Sequence, residues 1–188
     1  MNRIRWPIIL CLLLTAAGLP SGFAKAALLS PTAGGVLTVG GVLTVNTNAD
    51  TQVTDSFLSL REAMNIANGS LTGPFSVAER AQMSGCTFDA GGNITSGCGA
   101  GGDSILFDPS LTQIVLTSRL PFINKTGVMV DGAVSAGKMI LDGKGGADYI
   151  FNVAANSVVL HNFTIINVQS FGAAVGLGNG SWKGRPFR

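Results

Sequence analysis

The sequence is poor in the residues from which most active sites are built. It holds one histidine, His161, three cysteines and only ten acidic residues in 188, which leaves little material for a convergent set of carboxylates. There is no Cys-x-x-Cys, and His161 stands far along the chain from the cysteines, which argues against a zinc site or a dithiol redox pair. The Gly-rich segment of residues 91–102 lacks the Lys-Ser/Thr pair that would cradle a phosphate, so a nucleotide site has no support. No apolar run approaches the ~20 residues of a spanning helix, and the longest, residues 8–14, is soon followed by Pro20.

What the N-terminus does contain is a leader pattern. Arg3 and Arg5 precede that apolar run, and Gly18, Pro20 and the small-residue site Ala24-Lys25-Ala26 follow it. Residues 1–26 are therefore expected to be a signal peptide and the protein to be secreted or displayed at the cell surface, with no transmembrane segment in the mature chain. Cleavage removes three positive charges from a formal +2 and leaves the chain close to neutral, so its basic pI is no argument for nucleic acid. Cys11 leaves with the leader. Cys86 and Cys98 remain, in a compartment that oxidises thiols, and are expected to form a disulfide worth roughly 3 kcal/mol in a loop otherwise loosened by glycine.

Residues 27–42 read as an N-terminal arm. Within residues 27–55 lies a six-residue duplication, Gly34 to Val39 followed by Gly40 to Val45, better explained as a small slip duplication than as a β-helix repeat; one strand is expected at residues 43–47. Ser59-Leu60-Arg61-Glu62 then forms a capping box, and Leu60, Ala63, Met64 and Ala67 fall on one apolar face before the stop at Asn68-Gly69. Arg61 and Glu62 are better placed as an ion pair and a cap than as catalytic groups. A second box, Ser76-Val77-Ala78-Glu79, is expected to start a short helix ending near Ser84-Gly85.

From Asp103 to Val168 short β-branched runs recur between Gly, Asn and Asp, at spacings that suit strand, turn, strand. The core is therefore all-β. Three strands per coil would make a parallel solenoid, whereas Asp131-Gly132 and Asp142-Gly143 equally make hairpin turns, so an antiparallel β-sandwich is the alternative. After Val168 the pattern fades into a Gly-rich tail, residues 169–188, in which no further strand is read.

Several of these motifs occur together in one known setting. Ser59-Leu60-Arg61-Glu62-Ala63, preceded by Thr44-Val45-Asn46-Thr47 and Asp50-Thr51, resembles the Cys-Ser-Leu-Arg-Glu-Ala motif of secreted bacterial, adhesin-like proteins with right-handed parallel β-helix domains. Asp103-Ser104-Ile105-Leu106-Phe107 and Ile114-Val115-Leu116-Thr117 continue the likeness, which covers roughly residues 43–168. It implies a right-handed parallel β-helix over residues 103–168, preceded by a capping region over residues 43–102 whose helix covers the N-terminal end. Leu58 stands where that family has cysteine, so on this resemblance Cys86 and Cys98 pair locally.

Chemistry is thin. Some β-helix proteins cleave acidic polysaccharides with clustered carboxylates, which makes Asp131 and Asp142 the candidate catalytic acids, with Asp148, Lys138 and Lys144 weighed beside them. The turn reading is preferred for both aspartates, and a turn or ladder role for His161 with Asn162. Asp103, in Gly99-x-Gly101-x-Asp103, is the candidate calcium ligand, but a single copy cannot build a stacked site. No cofactor is expected. The reading is a structural or adhesive module without enzymatic activity, with glycans or surface proteins as partners. A polysaccharide-degrading enzyme and a truncated, nonfunctional fragment are the alternatives. An uncapped C-terminal end would leave self-association open.

Overall fold

The computed structural model describes residues 40–144, 147, 149–169 and 173–178. The leader, Cys11, the first copy of the hexad, Asp148 and the end of the Gly-rich tail lie outside the described residues. Thirteen strands and two helices follow in chain order: β1 (Val42–Val45), α1 (Leu60–Ala67), α2 (Val77–Arg80), β2 (Met83–Ser84), β3 (Thr87–Phe88), β4 (Ile94–Ser96), β5 (Ser104–Phe107), β6 (Gln113–Val115), β7 (Met129–Asp131), β8 (Ala133–Val134), β9 (Gly137–Asp142), β10 (Tyr149–Val153), β11 (Val159–His161), β12 (Phe163–Ile166) and β13 (Ala173–Leu177). Period-two alternation accounts for the strands that frame the core: Leu43 and Val45 of β1, Ile105 and Phe107 of β5, and Met139 and Leu141 of β9 are buried while their neighbours are not.

The strands gather into four small sheets. The largest runs β11-β7-β5-β1-β2, the next β12-β9-β6 with β8 on β9, and two pairs stand beside them, β10-β13 and β3-β4. This corrects the expected right-handed parallel β-helix. Six strand pairs are parallel, but β1 with β2, β3 with β4 and β8 with β9 are antiparallel, and among the described residues no solenoid is formed. The physical reason is local turn chemistry. Asp89 accepts from the Asn93 amide at 2.8 Å and folds β4 back on β3, while Gly137 turns β9 back on β8. The antiparallel sandwich fits these hairpins and not the parallel pairs. A further correction falls in the Gly-rich tail, where β13 pairs in parallel with β10.

Helix α1 is closed at its start by the full capping box: the Ser59 hydroxyl accepts from the Glu62 amide at 3.2 Å, and the Glu62 carboxylate accepts from the Ser59 amide at 2.9 Å. Gly69, at φ +70°, ends it in the left-handed region. Leu60, Ala63, Met64 and Ala67 are buried, and the helix packs on β1 and β5. Helix α2 has the same box from Ser76 and Glu79 but stops after one turn, well short of Ser84, because Met83 leaves it to pair with Leu43 as β2.

Cys86 and Cys98 form the disulfide expected of them. It lies directly on β1, since a Cβ on Gly41 would stand 2.1 Å from the Cys98 sulfur. The bridge closes the loop of β3 and β4 at its base, beside the main sheet. Replacing both cysteines by serine is expected to lower stability by about 3 kcal/mol, from loop-closure entropy returned to the unfolded chain. A urea titration of the variant, beside the parent with and without reductant, checks this.

Candidate functional site

The two candidate catalytic acids are not brought together. Asp131 ends β7 in the first sheet and Asp142 ends β9 in another. Each closes its own turn. Asp131 Oδ1 accepts from the Ala133 amide at 3.0 Å and from Asn162 Nδ2 at 2.8 Å. Asp142 Oδ1 accepts from the Lys144 amide at 2.8 Å and Asn167 Nδ2 at 2.9 Å, and its Oδ2 from Gln113 at 3.2 Å. The Lys144 amide first, and then Asn167, hold the Asp142 carboxyl below its ordinary range. Asn162 and Asn167 both sit at positive φ, so each turns the chain while its side chain bonds to the aspartate on the adjacent strand. His161 lies beside Asp131, 3.5 Å from its carboxylate, and Asn162 Nδ2 is 3.0 Å from the same ring nitrogen.

Asp103, the candidate calcium ligand, is fully buried beneath amide donors: Gly41 N–H reaches one oxygen at 2.7 Å and Gly99 N–H the other at 2.9 Å. Burial pushes its carboxyl up, against the pull of these amides and that of Gly101. Such a shell suits an anion held as a clasp between β1 and the Gly-rich loop. Calcium needs several oxygens, and among the described residues no three His, Cys, Asp or Glu side chains gather for a metal.

The structure does assemble something at the two edges of its parallel strand stacks. At the N-terminal edge, side chains stand in for a missing strand. Asp50 accepts from the Thr117 amide at 2.7 Å and the Thr117 hydroxyl at 2.8 Å. Arg61 grips Asp50 through two nitrogens, at 2.9 and 2.7 Å, and donates onward to the carbonyls of Arg119 and Ser118. Asn68 donates to the Phe122 carbonyl and accepts from the Asn124 amide. Burial pushes the Asp50 carboxyl up, but the Arg61 and Thr117 hydrogen bonds with the Arg61 charge outweigh it, and the group titrates below its ordinary value.

The opposite edge has no such cover among the described residues. It is made by β11, β12 and β13, the terminal strands of their sheets. Their core-facing side chains lie over fully buried ones in register, yet stay half-buried themselves: Leu160 over Val130, Phe163 over Met139, Ile165 over Leu141. Val175 is 39% exposed above Phe151, which is 1% exposed, and Leu177 beyond it is 59% exposed. The three strands contain no Lys, Arg, Asp or Glu.

A scan of family models, a search of curated proteins and a search of solved structures each returned nothing. The edges are therefore read on their own chemistry. Arg61 and Glu62 take the ion-pair and capping roles expected of them. Asp50, Asn68 and Thr117 carry the N-terminal edge without having been marked out as partners, and the Asp50-Thr51 pair was the one hint.

Beside this edge the two capping glutamates come close to one another. Glu62 and Glu79 are both buried and both line a cavity of about 90 Å³, with Gln52, Thr54, Leu71 and Phe75 around them. Burial raises the Glu62 carboxyl above its ordinary 4.5, against the amide and hydroxyl of Ser59 and the Val53 amide, and the Glu79 charge adds to the rise. A raised carboxyl contributes stability that is complete below 4.5 and fades as pH climbs through its folded value. The contribution of Asp50 runs the other way: complete above its ordinary 3.8, it is lost as pH falls through its depressed value. Asp103, raised like Glu62, also favours the acid side. The urea midpoint is thus expected to be higher at about pH 5 than at pH 7.5, and to fall below about pH 3.5. A flat or rising profile between pH 5 and 7.5 would contradict it.

Proposed function

We propose that this protein is a non-catalytic interaction module that engages its partner by adding strands along the edges of β11, β12 and β13. One observation carries the reading: the two edges of the stacks are treated differently. Asp50, Arg61 and Asn68 occupy backbone groups of residues 117–124 at one edge, whereas among the described residues the other presents apolar strands without Lys, Arg, Asp or Glu. Proteins that must keep a strand edge from pairing place lysine, proline or inward charge upon it. None stands in these three strands. Backbone pairing would supply the affinity and the exposed Val159, Ile166, Val175 and Leu177 the selectivity. The leader-like N-terminus supports a role outside the cell or at its surface, in keeping with the adhesin-like proteins whose motif the chain resembles.

Fluorescence anisotropy with a labelled (Thr-Val)₄ peptide tests the proposal. Saturable binding is expected, weakened at least tenfold by the pair Val159→Lys and Ile166→Lys. Absence of binding where the protein is monomeric, or binding indifferent to those lysines, would sink it. So would turnover of polygalacturonate abolished by Asp131→Ala or Asp142→Ala, which would assign the protein to the polysaccharide-cleaving enzymes.

A further inference from the structure

We infer that the occupant of the open edge is a second copy of this chain, docked end to end about a two-fold axis; the inference rests on the strand-addition reading. Three features of the molecule point to it. The first is charge. In a two-fold contact each residue meets the same surface on its partner, so any charged side chain near the axis meets its own sign. The strands β11, β12 and β13 contain no Lys, Arg, Asp or Glu, in contrast with Asp131 in β7 and Lys138 and Asp142 in β9 one strand further in. His161 is the one ionisable side chain in these strands, and a face so poor in charge is compatible with itself.

The second feature is the sealed edge. Head-to-tail stacking would need the open edge of one copy to pair with the N-terminal edge of the next. There the Thr117 and Asn124 amides already donate to Asp50 and Asn68, and the carbonyls of Ser118, Arg119 and Phe122 already accept from Arg61 and Asn68. Along residues 117–124 a docking strand would therefore find these backbone groups already taken, which disfavours head-to-tail growth; the self-contact favoured is open edge on open edge, which closes at two copies.

The third is what the contact would bury. Leu160, Phe163 and Ile165 are half-buried where their neighbours one strand in are fully covered, and Val175 and Leu177 stand 39% and 59% exposed. A second copy would complete the layer that each lacks, removing apolar surface from water and pairing edge backbone at once.

Size-exclusion chromatography with light scattering on the full chain, over a concentration series reaching roughly 100 µM, decides the matter, because a contact with a dissociation constant near 10 µM would be mostly filled there. Twice the monomer mass is expected, with no larger species. Val159→Lys, Ile166→Lys and Val175→Lys, made singly, should each weaken the dimer at least tenfold while leaving the circular dichroism spectrum and melting temperature in place. A monomer at every concentration overturns the inference, as does a mass that keeps rising beyond two copies, or a dimer unmoved by all three lysines. Should a lysine variant fail to fold, the mass of the parent chain still decides. A monomer that binds the (Thr-Val)₄ peptide removes the second copy but keeps strand addition; a monomer that binds no peptide removes both.

Discussion

Arg61→Ala is expected to lower the unfolding free energy by about 3–5 kcal/mol, the cost typical of removing one partner from a buried ion pair. The size follows from what stays behind. The Asp50 side chain is fully buried and that of Arg61 only 15% exposed, so the carboxylate would keep its charge and lose the guanidinium that compensates it. Two carbonyls, of Ser118 and Arg119, would lose a donor at the same stroke. The variant should also change its pH response. With Arg61 gone, burial is the largest remaining influence on Asp50, and its carboxyl should move up from its depressed value. Because its carboxyl then lies closer to the unfolded value, the stability that Asp50 contributes, and loses on acidification, should be smaller in the variant than in the parent. Adding Asp50→Asn should recover part of the lost stability at neutral pH, since an amide oxygen can still accept from the Thr117 amide at 2.7 Å without carrying charge. A loss below about 1 kcal/mol, within the range of an exposed pair, would show that this edge does not depend on the Asp50–Arg61 clamp.

The clamp also shows what a sequence conceals. Asp50 and Thr117 lie 67 residues apart, and a side chain satisfying a distant backbone amide leaves no periodic trace. Elements that do leave one were legible. The capping box at Ser59 and Glu62 predicts α1, and the β-branched runs at Ile105, Val130, Leu141 and Ile165 mark β5, β7, β9 and β12. Pairing was legible only where repeats kept their step. Val128 and Val158 stand one strand apart, the Val159 amide donating to the Val128 carbonyl, whereas Ile114 finds its neighbour in Leu141 at a different step along the chain. Strand β13 escaped because Ala-Ala-Val-Gly-Leu offers little alternation: Gly176 leaves room for the Tyr149 ring, which would lie 2.9 Å from a Cβ there. The mixed sheets escaped for a different reason. Asp-Gly and Asn-containing turns serve hairpins and parallel crossings alike, and only tertiary packing chooses between them. The candidate acids were legible as turn residues, since Asp131 and Asp142 each precede the glycine their turn requires; their asparagine partners on the next strand were not.

Phe151→Ala should cost as much as the loss of Arg61, about 3–5 kcal/mol for deleting a buried aromatic ring. Phe151 is 1% exposed and joins the stable part of the core to its last layer. Its ring lies 5.2 Å from that of Phe163, which meets Phe107 edge-on at 5.8 Å, and it lies under Val175 of β13. The damage should therefore be uneven. Strands β1 and β5 are backed by α1, and the Cys86–Cys98 bridge lies against Gly41 at the start of β1. Among the described residues, strands β12 and β13 pack on one side only, so a cavity beneath them removes most of what fixes their position. In hydrogen–deuterium exchange the amides of β12 and β13 should lose protection first, at denaturant concentrations where β1 and β5 remain closed. Phe151→Leu, which keeps much of the apolar volume, should recover more than half of the stability. Uniform loss of protection across all strands would mean that the last layer is bound into the core as firmly as the first, and a strand edge so fixed would have to find its partner as a rigid surface.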